Sequence, residues 1–275
     1  MVHLEKAATW ALFALVVYLI ATNILSAWVD LPALGNVGFV LAFTAFSLLH
    51  AGIKLGARRL ALFFVLTVVI SFIAEELGVR TGLLFGHYHY SDMLGAKLSN
   101  VPVLIPLGWF MMIYPSWVVG QALLRGIDLR GPLGALTLAL LSALAMTGWD
   151  MVMDPPMAAH HNWIWEDGGP YFGVPLRNYF GWVLNTFVIY LAFDGIDRLT
   201  AKRDAAVYPF GGVFAALPVI LYAFFAIEYL APGRLEPLRV IAVFTMLMPG
   251  TVALARALLP PSPNSCPARN PGSTA

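Results

Sequence analysis

The 275-residue sequence predicts an all-α fold, a polytopic membrane helix bundle of about eight transmembrane helices. Three observations carry that reading. The chain is 60% hydrophobic and only 11% charged, with a mean hydropathy of +0.78. Its apolar runs recur at about 18 to 22 residues, close to the roughly 20 that cross a bilayer core. Its basic residues also sort by side. With the N-terminus inside, the inner segments hold 11 of the 16 Lys and Arg, which orients a multi-pass protein with its basic loops cytoplasmic.

The expected spans are 8–29, 35–54, 60–77, 101–124, 132–153, 178–196, 209–230 and 237–258. His3, Glu5 and Lys6 lead into an apolar run too long for a signal core, so the first run reads as a true span. Residues 1–259 form one transmembrane domain on this reading. The tail 260–275, rich in Pro, Ser and Asn, is expected to be disordered because it has too little apolar surface to offset its ordering entropy. Both termini are expected in the cytoplasm, with the bacterial cytoplasmic membrane as the expected location. The long connections 78–100 and 154–177 then share the outer face. Pro106, Pro115, Pro218 and Pro249 fall within spans, where neighbouring helices can satisfy the carbonyls that proline frees. Pro155 and Pro156 are expected to stop the fifth span.

Composition excludes several classes. A formal net charge of +1 argues against a nucleic-acid partner. A single cysteine, Cys266, rules out an intrachain disulfide and a cysteine-ligated metal. No nucleophile elbow, Walker loop or dinucleotide fingerprint is present.

Chemistry concentrates in two polar islands. In 147–180, Asp150 and Asp154 lie i, i+4 on one helix face, which Thr147 shares. Ionisable groups inside a membrane segment are functional candidates by default. In 74–92, Glu75 and Glu76 point about 100° apart on a helix, so at most one faces the bundle centre. An apolar wall favours a protonated carboxyl, fit to act as an acid. His87 and His89, at i, i+2, face one way in an extended segment and are candidates to handle water. With His160 and His161 they are alternatively metal ligands, but no HExxH pattern supports that, and no metal is expected. Asn178, Trp182 and Asn185 share a face of the sixth span, and Arg177 beside them can hold a carboxylate. Tyr88, Trp109, Trp149 and Trp182 are candidate walls for an apolar substrate or a cationic intermediate. Tyr190, Asp194, Asp197 and Arg198 read as an inner-surface network.

Four blocks in order, EELGVRTGLLFGHYHYSD, VPVLIPLGWFMM, TGWDMVMDPPM and GPYFGVPLRNYFGW, resemble the carotenoid biosynthesis membrane proteins that include carotenoid 1,2-hydratases of the CruF type. The likeness is carried by residues 60–200, the flanking spans matching only in hydrophobicity. It implies a cofactor-independent hydro-lyase that adds water across the terminal double bond of an acyclic carotenoid end, with a bilayer-dissolved carotenoid as substrate and other carotenoid biosynthesis enzymes as partners. The residues suit that chemistry: an acid protonates the alkene, aromatic faces stabilise the tertiary cation, and water captures it. Asp150, Glu75, Glu76, Asp154, His87 and His89 are then the catalytic candidates. Other readings are a non-catalytic carotenoid-binding or transport protein, an end-group cyclase, or a prenyltransferase using Asp150 and Asp154 as a DxxxD diphosphate site, for which the partner NDxxD motif is missing.

Overall fold

The computed structural model describes residues 2–24, 28–29, 34–129, 131–200, 212–231 and 235–259. The tail 260–275, residues 25–27 of the first expected span, the start of the seventh, and Arg130, Lys202, Arg203, Arg234 and Arg269 lie outside them.

Among the described residues the eight expected spans form eight helical columns. They are α1 (Val2–Leu19, continuing in a π turn at Ile20–Ile24), α2 (Asn36–Leu55), α3 (Ala57–Thr81), α4 (Leu104–Leu123), α5 (Pro132–Ala159), α6 (Leu176–Thr200), α7 (Gly212–Tyr229), and a last column of α8 (Glu236–Ala242), a π turn (Val243–Leu247) and α9 (Met248–Leu258). Six columns are long and apolar enough to cross a membrane. The central α4 packs against α2, α3, α5, α7 and α9, while α6 closes the bundle against α5 and α3. Large side chains exposed on the outer faces run at helical spacing: Val65, Val69, Ile73 and Leu77 on α3, and Leu136, Leu140 and Leu144 on α5. Such stripes suit contact with lipid rather than water. Inside, by contrast, Ser47, His50, Ser71, Glu75, Ser116, Ser142, Asp150 and Asp154 are buried.

Prolines 155 and 156 do not stop α5, which continues through them to Ala159. The reason is local. Proline at 155 leaves the Met151 carbonyl without its i+4 donor, and the Tyr171 hydroxyl donates to that oxygen at 2.9 Å. Two other helices repeat the device. Pro115 frees the Met111 carbonyl, which accepts from Ser47 Oγ at 2.8 Å. Pro218 frees the Phe214 carbonyl, 2.8 Å from His50 Nε2. A carbonyl only accepts, so Nε2 carries the proton and Nδ1 accepts from the Tyr114 hydroxyl at 2.6 Å. Pro115, Pro155 and Pro218 are thus tolerated because a neighbouring segment supplies the missing donor.

The two long connections meet over one end of the bundle. β1 (Tyr88–Tyr90) pairs antiparallel with β4 (Trp163–Trp165) in the register Tyr88↔Trp165, His89↔Ile164, Tyr90↔Trp163. β2 (Lys97–Leu98) and β3 (Val101–Pro102) make a short hairpin leading into α4. The turn into β1 starts at Gly82, the α3 C-cap, whose φ of 65° is left-handed and suits glycine. Near the opposite end lie Arg59–Asp197 (2.8 Å) and Arg198–Asp194 (2.6 Å). Tyr190 is not part of that network: its hydroxyl donates to the Ile113 carbonyl in the core.

Candidate active site

A cavity of about 450 Å³ lies at the end of the bundle under the β1–β4 ribbon. It is walled by the first turns of α2, α4 and α6 and the last turns of α3, α5 and α7. The alternating direction of the columns brings these six ends together, so the two polar islands form one site.

Four carboxyls line it, Glu228 near the end of α7 and three that are buried. Glu75, on α3, is 4% exposed, and Asp150 and Asp154, on α5, are each 1% exposed. Glu75 Oε2 accepts from the Tyr88 and Tyr90 hydroxyls at 2.5 and 2.7 Å, and Oε1 accepts from Trp109 Nε1 at 2.8 Å. Burial and the Glu75 charge hold both phenols well above the usual tyrosine range, so they remain protonated donors. Asp154 Oδ1 accepts from Trp163 Nε1 at 2.6 Å and Trp165 Nε1 at 3.4 Å. The Asn178 amide bridges the pair, donating to Asp154 Oδ2 at 2.7 Å and Asp150 Oδ2 at 3.0 Å. Trp109 stacks on Trp182 with centroids 4.1 Å apart, and Trp149 meets Trp182 edge-on at 6.2 Å. The interior thus joins three acids to a cage of indole faces.

The i, i+4 spacing places Asp150 and Asp154 on one face, with Trp149 alongside them at the cavity wall. The adjacent glutamates divide as their 100° separation requires. Glu75 enters the site, while Glu76 turns to the surface and accepts from Arg80 at 2.6 Å, Ser99 at 2.8 Å and Asn100 at 2.9 Å. Glu76 is therefore a clasp for the β2–β3 hairpin and not part of the acid centre.

His87 and His89 share one side of the ribbon, but it is the outer side. Strand alternation turns Tyr88 and Tyr90 inward, and His89 pairs with Glu166 at 2.9 Å in the open. Among the described histidines His160 alone reaches the cavity, at its exposed rim. Among the described residues no three His, Cys, Asp or Glu side chains converge as metal ligands would.

Arg177 is exposed, its guanidinium 3.4 Å from the Gly82 carbonyl at the end of α3, and it does not line the cavity. Asn185 and Thr147 are buried but lie below the cavity. Sequence reading missed Asn36 and Glu228 at the cavity wall, and it missed Tyr90. For Tyr90 the signal was available: in HYHY, histidines facing one way commit both tyrosines to the other.

The fold and site define an integral membrane protein of the helical-bundle type, with a buried acid chamber at one end. The chain belongs to the carotenoid biosynthesis protein family, whose model matches residues 35–255. It is 36% identical over 156 residues to a bisanhydrobacterioruberin hydratase of Haloarcula japonica, a stretch covering 56% of this chain and 51% of that protein. The match therefore spans about half the length of that relative. No solved structure matches the chain.

Proposed function

We propose that the protein is a carotenoid hydratase, adding water across the terminal 1,2 double bond of an acyclic carotenoid end group. One observation carries the reading furthest: the buried acid pair opens into a cavity walled by indole faces. The hydrogen bonds suggest a division of roles. Asp154 is held through both oxygens by Trp163, Trp165 and Asn178, all N–H donors at these contacts, as suits a carboxylate. Asp150 takes one such bond, through Oδ2, which leaves Oδ1 for the transferable proton.

In this mechanism Asp150 gives its proton to C2. The alkene electron pair forms the new C–H bond and leaves a tertiary cation at C1. Trp109, Trp149 and Trp182 present their faces to that cation, and Glu75, fixed by its three donors, supplies negative charge nearby. Water forms the C–O bond at C1 and sheds its proton to Asp154. Passage of that proton to Asp150 within the pair resets the site. The sum is alkene plus water giving a tertiary alcohol, with no change in oxidation state overall. Asn36, His160 and Glu228 at the cavity wall give water a polar approach.

A diphosphate-binding prenyltransferase is less well supported, because among the described residues no Lys or Arg lines the cavity. The orientation belongs to the proposal too, with both termini cytoplasmic and the chamber at the outer face. Expression in a lycopene-producing bacterium, followed by mass analysis of the pigments, tests the function. A gain of one water is the expected result. Unchanged pigment, or a gain of prenyl units, refutes it.

A further inference from the structure

The cavity is shallow beside its proposed substrate. Its lining on α5 runs from Trp149 to Met157, about 12 Å at 1.5 Å per residue. A C40 polyene is about as long as the bilayer core is thick, about 30 Å. Only the end group fits beside the acids, so the rest of the chain has to leave through a wall.

The cavity has a second arm on its α2–α7 side, polar at the helix ends (Asn36, Glu228) and apolar one turn deeper. Beyond the acids it reaches Leu34, Phe39 and Val40 near the start of α2 and Phe225 on α7. Phe39 and Phe225 meet edge to face at 5.4 Å. Between chamber and arm stands α4, where two consecutive residues divide the work. Trp109 faces Glu75 and Trp182. Gly108, about 100° around the helix, faces Val40.

Gly108 has no packing reason to be glycine. Among the described residues, a Cβ built there meets nothing closer than Val40 Cγ1 at 4.0 Å. At Gly148 and Gly181 the same Cβ would meet a backbone oxygen at 2.7 and 2.5 Å, so those glycines are demanded by close helix approach. Glycine inside a helix is unfavourable relative to alanine. At Gly108 the helix accepts that cost and gains only open space inside the cavity.

We infer that Gly108 is the seat over which the polyene chain crosses from the acid chamber into the α2–α7 arm, which makes it a specificity-determining residue for long carotenoids. The inference rests on the hydratase reading for its substrate class. Its test is separable from that reading. Gly108→Ala and Gly108→Leu are expressed in lycopene-producing cells alongside wild type and Asp150→Asn. Each protein is purified in mild detergent, and bound lycopene per protein is measured by absorbance, hydrated product by mass, and folding by thermal unfolding. Gly108→Leu is expected to lose at least about tenfold in both bound lycopene and product, and Gly108→Ala a few-fold, with an unfolding temperature at or above wild type. Asp150→Asn is expected to keep the pigment and lose only the product. If Gly108→Leu binds and hydrates lycopene as wild type does, the seat is refuted. If Gly108→Leu fails to fold, the alanine variant decides: undiminished binding refutes the seat. Wild type that binds lycopene without hydrating it, with binding lost in the Gly108 variants, sinks the hydratase reading and leaves the seat standing. Wild type that does neither overturns both.

Discussion

Asp150→Asn isolates proton transfer from architecture. Asparagine keeps the shape of the side chain and an oxygen to accept from Asn178 at 3.0 Å. Little of the surrounding network is lost: Trp163, Trp165 and Asn178 still hold Asp154. The stability cost is expected to stay within about 1.5 kcal/mol, the net worth of one hydrogen bond. Activity is another matter. Loss of general acid catalysis alone removes about 10² to 10⁴ in rate. Protonating an unactivated alkene to a free cation places this case at the upper end, near 10⁴, or about 5.4 kcal/mol of barrier. The assay is the ratio of hydrated to unreacted lycopene at matched membrane expression. Asp194→Asn is the control. It breaks only the partly exposed pair with Arg198, worth about 0.3 to 0.5 kcal/mol, and is expected to leave the ratio unchanged. Near-normal hydration by Asp150→Asn, with Asp194→Asn inactive, would refute the assignment and move the site to the other end of the bundle.

Three further outcomes are expected. Tyr171→Phe strands the Met151 carbonyl beside Pro155 and lowers stability by about 1 to 3 kcal/mol; thermal unfolding in detergent reads this, and an unchanged midpoint argues against the proline-rescue account. Glu75→Gln abolishes product while His89→Ala, which removes only an open pair with Glu166, stays within about twofold of wild type in the same pigment assay, since exposed pairs contribute little; the reverse ranking would restore the histidines to the mechanism. Reporter fusions after Arg130 and after Gly168 report opposite sides of the membrane, and agreement between them contradicts the topology.

What the sequence disclosed and what it withheld divide along the range of the forces involved. Eight columns were legible because span length and apolarity are properties of contiguous residues. Asp150 and Asp154 were legible because an i, i+4 pair shares a face whatever else packs there. Glu75 and Glu76 could be split only by angle, and which of them turned inward waited on the donors that Tyr88, Tyr90 and Trp109 bring from other segments. The reach of α5 beyond Pro155 was hidden for the same reason: its missing donor is replaced by a tyrosine 20 positions along the chain. His87 and His89 show a different failure. Their common facing followed correctly from strand periodicity, but periodicity has no sign. The sign is set by energetics across the ribbon, where aromatic rings go inward over the buried acids and imidazoles go outward to water. With β4 reading Trp–Ile–Trp, pairing the two strands puts four aromatic side chains on one face, and the face over Glu75 and Asp154 supplies buried acceptors for their N–H and O–H groups. The carboxyls therefore orient the ribbon as much as the ribbon closes over the carboxyls. A residue-by-residue reading of either island alone cannot find that reciprocity.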